Sequence, residues 1–551
     1  MTAGFLSRER IVAPPGWSRW LIPPAALSIH LAIGQAYAWS VFKPPLEKGL
    51  GISGVASALP FTLGIIMLGL SAALFGTRVD SRGPRWAMAV ASSCFVAGFL
   101  ISGIGLYLGQ YWLVVLGYGF VGGIGLGIGY ISPVSTLIKW FPDRPGLATG
   151  IAIMGFGGGA LIASPLTSQL LGAFGATGNT PSVAGIGSTF IVMGLIYAVF
   201  MSAGWLLIRV PAEGWSPAGW DPATAKQGAL ISRGNVSAAN AIKTPQFWLL
   251  WVVLCFNVTA GIGILEKASP IFQDFFGGAA VAAAAASFVA ILSLANSLGR
   301  ILWSSLSDVL GRKNMYRIYL GVGALLYLTI TLTTNLSQPL FLVCCLLILS
   351  FYGAGFATVP AYLRDLFGTY QVGAIHGRLL TAWSTAGVLG PVIVNAIADS
   401  QKAAGVTGPA LYTLSFSIMI GLLIIAFVCN ELIKPVDTRF HEPEKAEPSA
   451  AAEAAAEPEP EAEAPAAAET PAEAEAEAPA EAEAPAEAEA EAPAEAEAPA
   501  EAAAPAEAEA EATTEAEASA GTEAPAEAEA PTEVEAPVEA EATKKAEGAK
   551  A

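Results

Sequence analysis

Long uninterrupted blocks of apolar residues fill the chain up to about residue 433, separated by short polar stretches. A helix that crosses a bilayer needs about 20 mostly apolar residues. Twelve blocks satisfy this, at about 21–43, 57–77, 86–107, 110–136, 147–174, 186–209, 247–266, 281–306, 315–334, 338–362, 373–398 and 408–433. The pattern predicts an all-α membrane protein with twelve transmembrane helices in two six-helix halves. The halves are expected at 21–209 and 247–433, joined by a polar cytoplasmic linker at 210–246. Residues 1–20 form an N-terminal segment and residues 434–551 a tail.

The first block has some marks of a cleaved signal peptide. Arg8, Arg10 and Arg19 precede it, and Ala36-Tyr37-Ala38 resembles a small-residue cleavage site. The apolar run is too long for that, and Pro23-Pro24 lies inside it, so a retained span is expected.

Composition supports the membrane class, since charged residues make up only 13% of the chain. The net charge of −18 misleads about the main body. Through His441 there are 24 Lys and Arg against 13 Asp and Glu, whereas the remainder holds 4 Lys against 33 Glu. The acidity belongs to the tail, an Ala-Pro-Ala-Glu-Ala-Glu repeat with nothing to bury. Its prolines break helix, which predicts a disordered, self-repelling cytoplasmic segment. Five cysteines, Cys94, Cys255, Cys344, Cys345 and Cys429, all lie in apolar runs and read as reduced thiols. No metal-ligand spacing, cofactor motif, catalytic cluster or nucleic-acid motif is present, so no enzyme is expected.

Basic residues set the orientation. One set of connections, with the chain counted up to Arg439, carries 19 Lys and Arg. The opposite set carries four: Lys43, Lys48, Lys267 and Lys402. Both termini are therefore expected in the cytoplasm, with the protein in the inner (plasma) membrane.

The two halves repeat each other. Asp80-Ser-Arg82-Gly83-Pro-Arg85 follows the second block, and Asp308-Val-Leu-Gly311-Arg312-Lys313 follows the eighth. Gly146-Leu-Ala-Thr-Gly150 opens the fifth and Gly373-Ala-Ile-His-Gly377 the eleventh. Transporters built from such repeats bind substrate between the halves near the midplane. The Asp80/Gly83/Arg85 and Asp308/Gly311/Arg312 loops are expected to gate between conformers rather than touch substrate. Glycine runs at Gly123–Gly129 and Gly155–Gly159 lack the strand-turn-helix setting of a nucleotide loop and read as close-packing surfaces.

Arg300 is the most informative residue. It lies eight residues inside Asp308, or about 12 Å, near the middle of a core about 30 Å thick. A charge there costs at least about 2.5–3.5 kcal/mol and usually faces a polar cavity. Ser293, Asn296 and Ser304 share its helix face, and no acid falls at the same depth. A permanently charged, planar guanidinium fits a carboxylate through two parallel hydrogen bonds. The expected partners are thus a small organic anion, the lipid bilayer, and a co-transported proton or counter-anion; a monomer is expected. His30 and Tyr37 share a face of the first block, where His30 suits core packing and binding equally.

In order along the chain, Tyr37-Ala-Trp39, Lys139-Trp-Phe-Pro-Asp-Arg-Pro-Gly-Leu-Ala-Thr-Gly150, Thr244-Pro-Gln-Phe-Trp248, Arg300 with Asp308-x-x-Gly-Arg312, and Gly368-Thr369 resemble the oxalate/formate antiporter family of the major facilitator superfamily. The likeness spans about residues 20–435. It implies alternating access and a cavity lined by Tyr37, Tyr130, Tyr352 and Phe356. It also implies two basic residues that hold a dicarboxylate, one at Arg300 and one at the position of Trp383. An indole in place of the second cation suits a monocarboxylate such as pyruvate, lactate or a formate-like acid. A dicarboxylate exchanger is the nearest alternative. A neutral-solute carrier with a structural Arg300, and a sensor or scaffold presenting the acidic tail, also fit the residues.

Overall fold

The computed structural model describes residues 4–221, 230–232, 234–277, 279–333 and 336–443, except the side chains of residues 266 and 279–286. The expected tail from residue 444 onward, with Lys226 and Arg233 of the linker and the Glu266 side chain, lies outside the described residues. Among those residues, eleven single helices are long and apolar enough to cross a membrane, and a bent pair supplies a twelfth span.

The bent span, α1, runs over Arg19–Val41 and turns by 49° into Lys43–Leu50. Its prolines stand in the first helical turn, where a missing N–H costs nothing. The first half continues with α2 Gly54–Arg82, α3 Pro84–Tyr107, α4 Tyr111–Trp140, α5 Pro145–Ala173 and α6 Val183–Leu207. The second half holds α7 Pro245–Phe276, α8 Ala279–Leu310, α9 Arg312–Leu332, α10 Gln338–Phe367, α11 Val372–Ala403 and α12 Ala410–Leu432. Non-helical backbone at Lys267 breaks α7 one residue past the expected end of that span.

Each half is tied off in the same way. Val12, ahead of α1, bridges Val210, just past α6; Val236, ahead of α7, bridges His441, just past α12. Glu442 N donates to Asn235 O at 2.7 Å, and Gln246 Nε2 donates to Lys434 O at 3.1 Å. Residues 434–443, expected to belong to the tail, therefore pack on the linker. Backbone pairing of this kind has no signature in composition.

The repeated loops carry equivalent geometry. Gly83 and Gly311 both have positive φ, 91° and 85°, where a side chain would be strained. Just beyond them, Arg85 Nη2 donates to Leu206 O at 3.0 Å, and Lys313 Nζ donates to Glu431 O at 2.8 Å. Terminal carbonyls of a helix lack intrahelical partners and attract cations. Arg85 and Lys313 thus each fasten a loop to the last helix of their own half. Arg85, expected among the gating residues, makes no bond to the other half among the described residues.

The halves pack chiefly through α5 against α8 and α2 against α11. Asp308 accepts from the first free N–H groups of α5, Gly146 N at 2.9 Å and Leu147 N at 2.9 Å. Asp80 repeats this on α11, accepting from Ala374 N at 2.8 Å. Arg312 holds Asp308 in place at 2.6 Å and also reaches Asp365 at 3.2 Å. Each half thus places a carboxylate on a positive helix terminus of the other. Hydrogen bonds between the halves extend from this basic end to mid-helix, as far as Tyr37–Tyr352 and Ser384–Ile65. Among the described residues none joins them nearer the opposite end, so the bundle is shut at its basic end.

Candidate substrate site between the halves

Arg300 of α8 is fully buried where α5 and α10 converge on it. Glycines make room for it. A Cβ at Gly157 would meet the guanidinium, Nε at 2.8 Å and Cζ at 3.1 Å, and one at Gly353 would meet Cγ at 3.1 Å. Nε donates to Asn296 Oδ1 at 3.3 Å, and Nη1 donates to Ile153 O at 3.0 Å. Among the described residues Nη2 finds no acceptor in hydrogen-bond geometry, although the Tyr37 hydroxyl lies close to the guanidinium. Among the described residues no carboxylate forms an ion pair with Arg300. Ser293 and Ser304 spend their hydroxyls on carbonyls of their own helix, so Asn296 alone of the polar stripe supports the guanidinium.

The space beside Arg300 is given to one methylene's absence at Gly157. Gly157→Ala is expected to displace the guanidinium and cut uptake about tenfold, the range in which overpacking costs 1–3 kcal/mol. The check is initial uptake into vesicles, normalised to inserted protein, which should itself stay near wild type.

Aromatic rings from both halves enclose the guanidinium. Its Cζ lies 5.5 Å from the Phe356 ring and 6.0 Å from the Phe156 ring. Trp383 packs on Phe356 at 4.6 Å, Phe156 at 5.2 Å and Tyr130 at 5.3 Å. The Tyr37 ring lies 5.1 Å from Phe156, and its hydroxyl meets that of Tyr352 at 3.2 Å across the halves.

The repeat explains this cage. Matching Gly146–Gly150 to Gly373–Gly377 pairs Phe156 with Trp383. Matching Phe141 to Phe367 pairs Tyr130 with Phe356, and matching Asp80 to Asp308 pairs Ala72 with Arg300. Two aromatic pairs are thus related by the repeat, and Arg300 breaks the symmetry. Its cation stands on one side only, beside rings from both halves.

His30 is buried with Nε2 at 3.2 Å from Tyr130 O and Nδ1 at 3.3 Å from Ala26 O. A neutral imidazole donates through one nitrogen only. Both nitrogens face backbone, and the ring lies edge-on to Tyr130 at 5.4 Å. The geometry makes His30 a support for Tyr130. His376 is buried 5.9 Å from the Tyr130 ring, and among the described residues its Nε2 has no partner. Phe156 went unnoticed inside its glycine run, although its match to Trp383 across the repeat marks it.

Comparison with known proteins places this geometry. The Major Facilitator Superfamily model matches residues 25–391. The chain belongs to the Major Facilitator Superfamily. The resemblance to oxalate/formate antiporters holds: the chain is 28% identical to the oxalate:formate antiporter of Oxalobacter formigenes over 70% of this chain and 86% of that one. It is 24% identical to apicoplast pyruvate carrier 1 of Toxoplasma gondii, over 61% of this chain and 68% of that one. Among solved structures, the superfamily transporter FucP in the outward conformation aligns with a TM-score of 0.55 at 15% identity. That alignment covers 75% of this chain and 99% of FucP, and it supports the shared fold. As a superfamily member with this bundle, the chain is a multi-pass membrane transporter and not an enzyme.

Proposed function

We propose that this superfamily member is a secondary active transporter of a small monocarboxylate, working by alternating access as its halves rock. The carrying observation is Arg300, a buried guanidinium between the halves that lacks a protein carboxylate among the described residues. The substrate carboxylate takes the free Nη2, and Phe156, Phe356 and Trp383 enclose the rest. The names of two relatives, an oxalate:formate antiporter and a pyruvate carrier, agree with a small carboxylate. Trp383 stands where the resemblance puts a second cation, which favours one carboxylate over two. Dicarboxylate exchange is the second reading, favoured by the antiporter relative.

With both termini in the cytoplasm of a plasma membrane, as the basic residues indicate, voltage opposes anion entry. A monoanion meets about 2.3 kcal/mol per 100 mV, a factor of about 45 in accumulation. Uptake then needs a counter-anion or a co-transported proton. A buried Arg300 without its anion is costly, which disfavours empty return and supports exchange.

Reconstituted uptake tests the proposal with oxalate, formate, acetate, pyruvate and lactate. Monocarboxylates are expected to enter, and vesicles preloaded with unlabelled substrate are expected to take up label several-fold faster. Oxalate as the best substrate would overturn the monocarboxylate assignment. Preloading without acceleration would overturn exchange in favour of proton coupling.

A further inference from the structure

The cage contains a donor that enclosure alone does not explain. Trp383 is 1% exposed, and its indole Nε1 meets no acceptor among the described residues. Phe156, its equal in the repeat, fills the same kind of space with no polar atom. A phenyl ring on α11 would therefore serve packing as well, without burying an unpaired N–H. Leaving such a group unsatisfied costs the full desolvation of the N–H. The neighbouring Tyr130 hydroxyl is also buried and unpartnered, 5.3 Å away ring to ring. Trp383 and the Arg300 guanidinium both lie against Phe156 and Phe356, and Tyr130 lies against Phe156.

From this we infer that Trp383 Nε1 is a substrate hydrogen-bond donor, and that the transported acid is an oxo- or hydroxy-monocarboxylate. The inference rests on the monocarboxylate reading and narrows it. Arg300 takes the carboxylate. Trp383 donates to a separate neutral oxygen, a ketone or hydroxyl, and Tyr130 Oη is within the same cluster to donate to or accept from it. A second carboxylate at this place would face a neutral indole in a low-dielectric site, which is unfavourable. A purely apolar tail would leave the indole N–H unpaired. A site that hydrogen-bonds a substrate oxygen rejects the analogue lacking it, because the site's own group is then stranded.

The test is competition against labelled pyruvate uptake by reconstituted protein, with pyruvate, lactate, propionate, acetate and oxalate as competitors. Pyruvate and propionate have the same carbon count and differ at one position. Wild type is expected to prefer pyruvate and lactate over propionate by about tenfold or more. Trp383→Phe, which keeps a ring in the cage, is expected to shrink that ratio to within about threefold, weakening pyruvate more than propionate. Thermal stabilisation of the purified protein by pyruvate over propionate gives the same comparison without transport, should the variant assemble poorly. Equal competition by propionate and pyruvate in wild type, or an unaltered ratio in Trp383→Phe, would overturn this inference and leave the monocarboxylate reading standing. If oxalate alone competes, or no carboxylate competes, the monocarboxylate reading itself fails.

Discussion

Replacing Arg300 by alanine is expected to lower carboxylate uptake about 100-fold or more while the protein still inserts. Removing one member of a buried charge pair costs about 3–5 kcal/mol, and each 1.4 kcal/mol is about tenfold. The bare site would then hold a carboxylate with no cation, in a cage of Phe156, Phe356 and Trp383. Arg300→Lys should fall between, about tenfold below wild type, because a point charge on a flexible stem lacks the fork. It also gives up one of the bonds to Asn296 Oδ1 and Ile153 O that fix the guanidinium. Initial uptake rates per inserted protein decide the matter. Unchanged transport in Arg300→Ala would make Arg300 a structural residue and return a neutral solute to consideration.

The second large effect is expected at the basic end. Asp308→Asn keeps the size of the side chain but loses the charge. Its amide nitrogen cannot accept, so it cannot receive both N–H groups of Gly146 and Leu147 while answering Arg312. Charge-assisted hydrogen bonds contribute about 1.5–3 kcal/mol each, and these form only when the halves meet at this end. Losing one set should shift the closed-to-open ratio about 10- to 100-fold. A cysteine placed at Thr149, whose hydroxyl now bonds Ala357 O across the halves at 2.7 Å, reports the change. In a background without the native cysteines, an impermeant thiol reagent applied at the basic end should label it faster in Asp308→Asn. Asp80→Asn should act in the same direction, since Asp80 caps α11 as Asp308 caps α5. Equal labelling in all three proteins would show that these carboxylates do not hold the basic end shut.

Much of this arrangement was legible from residue order. The apolar blocks located the spans because length and hydropathy are local properties. Arg300 stood out because its depth follows from helix rise and the position of Asp308. Side-chain direction across the halves was less accessible. The role of Arg85 was read from its motif, yet it bonds the α6 carbonyls, and nothing in the motif tells which helix end lies within reach. Position along α11 alone does not show what His376 meets. Its approach to Tyr130 depends on how closely α2 and α11 meet, which small residues permit: a Cβ at Gly377 would collide with Ala72 O. Phe156 was hidden for a related reason. Glycines beside it read as a packing surface, while Gly157 in fact clears space for the guanidinium. His30 could not be assigned from its face alone; its two ring nitrogens facing backbone carbonyls place it behind Tyr130.

The most direct test places the substrate carboxylate on Arg300 by binding rather than by transport. Purified wild type and Arg300→Ala would be titrated calorimetrically with pyruvate and with its uncharged amide. Wild type is expected to bind the acid and to bind the amide at least about 100-fold more weakly, and Arg300→Ala is expected to bind neither. Equal binding of acid and amide by wild type, or undiminished binding of pyruvate by Arg300→Ala, would contradict the assignment.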